Sequence, residues 1–319
     1  MTFADVENAR KAYQAKRSRI LRRGLILIAI AILISVAIAA ALGVVTPDFF
    51  SHGFIMPLGG IFFTLMFSCI ILAIAIAFAT TKDATNYRHA YKAYFVAGSM
   101  ARVFTHLNYS HEAALGPNLL RATGMVNTGD RYSSNDLTVA KYKDVAFIQA
   151  DAHIEVEHTD SDGDTTYSTL FKGRFMIFDF PKKFNFRLEV VGKSFYAALI
   201  PGKNKTTGRK MSRIKTESTE FNQTFRTYAE DGFEAFYLLD PAFIDRIQKI
   251  GAAYNYKIML GFIENRLLIG LADGKDSFEP PRPSQPIDKA KELAKIEADI
   301  KVITDFVDLL KLDRKLFQS

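Results

Sequence analysis

Two stretches without a single charged side chain, residues 24–45 and 55–79, constrain this chain more than any other feature. Each is long enough, at a rise of roughly 1.5 Å per residue, to cross a hydrocarbon layer about 30 Å thick. A charge at the centre of such a helix costs roughly 2.5–3.5 kcal/mol on insertion scales, which gives the missing charges a physical reason. A helix on the edge of a soluble core needs one polar face, and neither stretch has one. A secretory h-region is shorter, about 7–15 residues, and is not followed by a second span. The pattern therefore predicts two transmembrane helices.

Their direction follows from the flanks, because short loops rich in Lys and Arg stay on the cytoplasmic side. Before the first span lie Arg10, Lys11, Lys16, Arg17, Arg19, Arg22 and Arg23 against Asp5 and Glu7; after the second come Lys82, Arg88, Lys92 and Arg102. The loop 46–54 carries Asp48 and no Lys or Arg, so it is predicted on the far side, with both termini cytoplasmic. Of the net charge of +7, residues 80–319 contribute only +3. That distribution assigns the basicity to the membrane flank and argues against nucleic-acid binding. The single cysteine, Cys69, lies inside the second span, which excludes a disulfide framework and a cysteine-built zinc site.

Beyond the spans the periodicities predict an α+β fold, a mostly antiparallel β domain with packed helices. The expected organisation is a basic cytoplasmic tail (1–23), a two-helix transmembrane hairpin (24–79), a juxtamembrane helical segment (80–126), a cytoplasmic α+β domain (127–278), and a Pro-rich linker with a C-terminal helix (279–319). Tyr87, Tyr91, Tyr94, Phe95, Val103 and Phe104 recur at helical intervals; the stripe suits the headgroup region, with Arg88 and Lys92 reaching phosphates, and equally suits packing on the folded domain. From Ile148 to Glu157 apolar and polar residues alternate, the pattern of a strand with Gln149, Asp151, His153, Glu155 and Glu157 on its solvated face. Asp162-Gly163 predicts a hairpin turn into a returning strand over 167–178. Further strands are expected at 184–190 and 195–200, and 221–229 reads as extended, though Phe221, Phe225 and Tyr228 also fit a helical face. Asp240-Pro241 opens a helix, and strands at 257–263 and 266–272 join through Glu264-Asn265. Leu293, Ile296, Ile300, Ile303, Val307 and Leu310 form a short heptad seam that packs on its own domain or pairs with a second copy.

No motif specifies a nucleophile. His153, Glu155 and Glu157 share a strand face and suggest one imidazole and two carboxylates on a metal; the competing reading is a solvated sheet face. Asp160, Asp162, Gly163 and Asp164 resemble a calcium loop, but the glycine comes early and Phe171 stands where a bidentate Glu is needed. Residues 202–210 lack the glycine spacing and the lysine of a phosphate loop. The same loop carries Lys203, Lys205, Arg209, Lys210, Arg213 and Lys215 with no acid among them, candidate contacts to anionic lipid at about 1 kcal/mol each near a membrane; the alternative is a solvated loop. Glu217 with Glu220, and Asp231 with Asp240, are carboxylates of a kind common in surfaces and turns.

Several of these landmarks occur together: Phe171-Lys172-Gly173 after a hairpin; Glu217-Ser218 with Glu220-Phe221-Asn222, Phe225, Tyr228-Ala229 and Asp231; then Tyr237-Leu238-Leu239-Asp240-Pro241 opening a helix. With the two N-terminal spans, this resembles the bacterial membrane-protein family known as domain of unknown function 3137, over most of residues 136–272 and without the C-terminal helix. The resemblance implies a multi-pass protein of a bacterial inner membrane and carries over no catalytic residue or cofactor. The expected function is therefore a cytoplasmic binding or scaffolding module, for a protein partner or anionic lipid, displayed from the bilayer, with self-association through the C-terminal helix as a further option. A membrane-tethered metal-dependent hydrolase using His153, Glu155 and Glu157 is the alternative. An oligomeric pore fits less well, because the spans have no polar stripe to line water.

Overall fold

The computed structural model describes residues 1–41, 55–179, 183, 185–195 and 211–312. The chain divides into two compact units, residues 1–94 with 280–288, and residues 95–279 with the remainder of the C-terminal segment.

The first unit is a pair of long helices, α1 (Phe3–Ala41) and α2 (Ile55–Tyr91). A Thr-x-x-Asp box starts α1: the Thr2 amide donates to Asp5 Oδ2 at 2.6 Å and the Asp5 amide to Thr2 Oγ1 at 3.3 Å. The helices run antiparallel, as the descending pairs Phe3–Tyr94, Tyr13–Tyr87 and Lys16–Asp83 require. Farther along, a Cβ on Gly24 would lie 2.1 Å from Leu72 Cδ1, so only glycine admits this close approach. The Pro-rich segment expected as a linker is strapped onto this pair. Arg10 Nη1 donates to the Pro283 carbonyl at 2.7 Å, Tyr87 Oη to the Pro281 carbonyl at 3.0 Å, and the Ile287 amide to Glu7 Oε1 at 3.1 Å. Arg10 also grips Glu7 at 2.8 Å, which holds the Glu7 carboxyl below its ordinary pKa.

After α2 the helix widens into a π turn (Lys92–Ala97) and continues as α3 (Gly98–Val103). Of the aromatic stripe, Tyr87, Tyr91, Phe95 and Phe104 are buried and so is Lys92, whereas Tyr94 is half-buried and Val103 and Arg88 are exposed. Among the described residues one helical run, Leu65–Val103, passes as long and apolar enough to cross a membrane. The first predicted span is helical through Ala41; its last four residues and the loop 46–54 lie outside the described residues.

The second unit is mixed α+β, as the sequence patterns predict. Its strands are β1 (Thr105–Ser110), β2 (Arg131–Tyr142), β3 (Val145–Thr159), β4 (Thr165–Asp179), β5 (Leu188–Gly192), β6 (Ser212–Ile214), β7 (Phe225–Ala229), β8 (Ile258–Ile263) and β9 (Arg266–Leu271). They form one antiparallel sheet in the order β1-β2-β3-β4-β9-β8-β5-β7-β6. One face is closed by residues 111–130, including α4 (Pro117–Thr123): Leu115, Leu120, Met125 and Val126 pack on Ala150, Ala152, Ile154, Phe171 and Phe175. The Phe171-Lys172-Gly173 motif lies on β4, where Gly173 has φ +152° and a Cβ would stand 2.0 Å from the Leu271 carbonyl oxygen; the register of β4 on β9 needs glycine there.

Segment 221–229, expected to be extended throughout, is half helix: α5 (Thr219–Thr224), capped by Ser218, precedes β7. Phe221 stacks on Phe225 at 4.9 Å, so the apparent helical spacing marks the junction. Two further helices, α6 (Gly232–Leu238) and α7 (Pro241–Ala253), are capped by Asp231 and Asp240. The β8–β9 turn takes its positive φ at Glu264, whereas the sequence points to Asn265. The C-terminal helix α8 (Lys289–Leu310) buries Ile296, Ile300, Ile303, Val307 and Leu310 of its seam together with Phe306, which stacks on Tyr254, the residue that caps the end of α7, at 5.4 Å. That seam is buried within its own unit.

Candidate functional site

The polar face of β3 departs most from expectation. Gln149 and Asp151 are almost fully buried, because this side of the sheet is covered where the sequence pattern leaves it wet. Asp151 stands directly opposite Arg174 on β4. Arg174, 1% exposed, donates from Nη1 to the Asp299 carbonyl on α8 at 2.7 Å, has Asp299 Oδ1 3.5 Å from Nη2, touches Ser277 Oγ, and lies 5.5 Å over the Phe278 ring. The Ser277 amide donates to Asp151 Oδ2. Arg174 Nε stays 3.8 Å from Asp151 Oδ1, and neither atom has a hydrogen-bond partner among the described residues. Burial therefore outweighs the guanidinium's attraction and raises the Asp151 carboxyl to about 7.

A bulge beside this pair turns Asp136 inward. The β2 register slips between Asn135 and Thr138, and Asp136 takes φ +55°, a conformation aspartate tolerates. Tyr109 Oη donates to its Oδ1 at 2.5 Å and Asn135 Nδ2 to its Oδ2 at 3.1 Å. Burial and the Asp136 charge push the Tyr109 phenol far above its ordinary pKa. Among the described residues Asp136, Asp276 and Glu279 bring one carboxylate oxygen each within 4.8 Å of the others, the hard-oxygen set that calcium or magnesium takes, although both Asp136 oxygens already accept hydrogen bonds. A cleft of about 230 Å³ opens alongside, lined by Asn135, Asp151, His153, Lys172, Lys275 and Asp276 among others.

His153, Glu155 and Glu157 do not converge. His153 Nε2 lies 3.1 Å from Thr169 Oγ1 and 4.0 Å from Glu155, while Glu157 accepts from Tyr167 Oη at 2.7 Å. A register shift between Ile154 and Glu155 breaks the row. The acidic turn is structural: Asp160 Oδ1 accepts the amides of Asp162 and Asp164 at 3.0 and 2.9 Å. Asp231 and Asp240 serve as helix caps, accepting from Phe233 and Phe243 amides at 2.8 and 2.7 Å. Of the basic loop, Lys203, Lys205, Arg209 and Lys210 lie outside the described residues, as do residues 196–200 of the expected strand 195–200 and the residues compared with a phosphate loop. Arg213 and Lys215 are exposed on and just after the edge strand β6.

A second buried polar group sits on β5 and the segment before it. Burial raises the Glu189 carboxyl to about 7 and lowers the Arg187 pKa, while Arg187 Nε and Nη1 have no hydrogen-bond partner among the described residues. On the surface, α6 turns Phe233, Phe236 and Tyr237 outward at 69%, 45% and 65% exposure. Phe236 and Tyr237 form a wall of a groove of about 590 Å³ that also includes Glu217, Leu239, Pro241 and Ile244. The sequence carried a signal for this groove: it holds Glu217-Ser218 and, from the second motif, Tyr237, Leu239, Asp240 and Pro241, residues that stand out without a chemical role.

The model of a family described as "Protein of unknown function (DUF3137)" matches residues 169–312, under half of the chain. The match starts inside β4 and runs through α8, so it includes the C-terminal helix and omits residues 136–168, unlike the extent read from the motifs. No curated protein matches. Among solved structures the chain is similar to the mycobacterial trehalose monomycolate transport factor A, TtfA, at 9% identity and a TM-score of 0.36, covering 70% of this chain and 94% of that one. A likeness at that score carries no functional argument.

Proposed function

We propose that this is a two-pass membrane protein whose C-terminal unit is a binding or scaffolding module held at the cytoplasmic face of a bacterial inner membrane. The observation that carries the reading is the surface of the helical pair. Leu25, Ile26, Leu27, Ile30, Leu33 and Ile34 on α1, and Met66, Phe67, Ile70, Ile71, Ile74 and Phe78 on α2, are all exposed, with no charge among them. Leaving that much apolar surface in water forgoes on the order of 10–20 kcal/mol at roughly 25 cal/mol/Å². Net domain stabilities are about 5–15 kcal/mol, so hydrocarbon is the environment that suits these helices. The basic flanks supply the orientation. The proposed cytoplasmic module presents an aromatic surface on α6, which favours recognition. Part of the binding is to anionic headgroups through Lys203, Lys205, Arg209, Lys210, Arg213 and Lys215.

The test is extraction and topology. The full chain is expected to stay with membranes through alkaline carbonate washing. In a Cys69→Ser background, Ser51→Cys is expected to react with an impermeant maleimide in intact cells, and Ser168→Cys only after permeabilisation. Release into the carbonate supernatant would end the membrane reading, and the reverse labelling pattern would end the orientation. Replacing the six basic residues by Gln is expected to weaken salt-sensitive binding to anionic vesicles.

A further inference from the structure

We infer that the groove walled by α6 and α7 is a docking site for a cationic amphipathic segment of a partner protein; this deepens the reading above, in which the second unit does the recognising. Apart from Met1 and the side chains of α1 and α2, the large hydrophobic side chains that stand exposed among the described residues are Val103, Val139, Phe233, Phe236 and Tyr237. Three of these five are aromatic and belong to one seven-residue helix. That helix buries Ala235 and Leu238 toward the unit, so the outward rings take no part in its own core.

The groove beside them, about 590 Å³, falls in the range of sites that hold a ligand or peptide side chains. Leu239, Pro241 and Ile244 give it apolar surface, and Phe236 and Tyr237 form a wall. Its lining includes Glu217, Asp240 and Asp245 and no Lys or Arg among the described residues, and Asp231 and Glu234 are exposed on the adjoining turn and helix. Lys249 meets Asp245 at 2.7 Å, but both side chains are more than half exposed, and such a pair exchanges readily. Lys215 and Arg246 adjoin the lining as well, so the acids of the lining and its neighbours outnumber the bases by five to three, in a chain whose total charge is +7. Charge complementarity selects the occupant. A helix with an apolar face flanked by Lys or Arg fills the groove, pairs with the acids of its lining and lays its cations over exposed rings. The chain's overall positive charge works against nonspecific attraction of such a segment, so binding reports the local rim.

The experiment uses the full chain in phosphatidylcholine nanodiscs, with empty discs subtracted, titrated against two labelled helical peptides of about 18 residues, one of Leu and Lys and one of Leu and Glu at the same apolar spacing. The expected result is saturable binding of the Leu/Lys peptide alone, weakened severalfold between about 0.1 and 0.5 M salt. Phe236→Ala with Tyr237→Ala is expected to weaken it by about tenfold or more. Glu217→Lys with Asp245→Lys is expected to transfer preference to the Leu/Glu peptide, a gain that misfolding does not produce. Equal binding of the two peptides, or binding unchanged in both variant pairs, overturns the proposal. So does capture of the discs by phosphatidylserine vesicles that is lost on removing the two rings, which would assign the surface to lipid, or ring-dependent self-association, which would assign it to a second copy. A chain that stays out of the discs sinks the membrane reading alone, and the same titration in buffer then decides the groove.

Discussion

Phe78 on α2 is 86% exposed and Arg174 on β4 is 1% exposed, the reverse of where water sends a phenyl ring and a guanidinium. In the uncharged parts of the helical pair the inversion needs no partner residue, only a change of solvent. In the sheet unit it is local, and Arg174 is met by named neighbours, Asp299, Ser277 and Asp151. The contrast separates two kinds of constraint. One is set by what surrounds the molecule, the other by what the chain brings together.

The largest expected effect attacks the second kind. Arg174→Ala strands Asp151 in the interior and is expected to cost about 3–5 kcal/mol in denaturant unfolding, while Arg174→Met with Asp151→Leu costs less than the single change. Next, Ile71→Arg places a charge in the uncharged part of α2 and is expected to cost roughly 2.5–3.5 kcal/mol of insertion, read as the carbonate-resistant fraction; an unchanged fraction would remove the contrast. A third test is pH. Asp151 and Glu189, each near 7 when folded and near 4 when unfolded, hold a proton in the native state that the unfolded chain releases. Their contribution therefore favours the fold below about pH 4 and is lost as pH rises to about 7. Unfolding midpoints across pH 5–8 should show the decline, and Asp151→Asn with Glu189→Gln should flatten it. The smallest effect, about 1 kcal/mol, is expected for Asp240→Ala, which removes the cap of α7.

Legibility follows the same division. The β8–β9 hairpin is readable because Ile263 pairs with Arg266 across two residues, a local event. The turn at Asp162-Gly163 is readable because Gly163 takes φ +87°. That β5 inserts between β8 and β7 is not readable, since both neighbours lie far along the chain. Nor is the burial of Gln149 and Asp151: alternation marks one face as polar and says nothing of what covers it. Glu217 and Asp240 are visible as carboxylates, but their meeting at one groove requires β6, α6 and α7 to be packed.

The sequence by itself determined the two uncharged helices and the alternation of the long strands, because hydropathy over one span and side-chain period along one strand are properties of neighbouring residues. Only the tertiary structure decided that Asp151 is buried, that the Pro-rich segment is strapped down through Arg10 and Tyr87, and that aromatic rings and acids share a groove. Those outcomes depend on contacts between residues far apart in the chain, such as Arg174 with Asp299, and no local pattern encodes them.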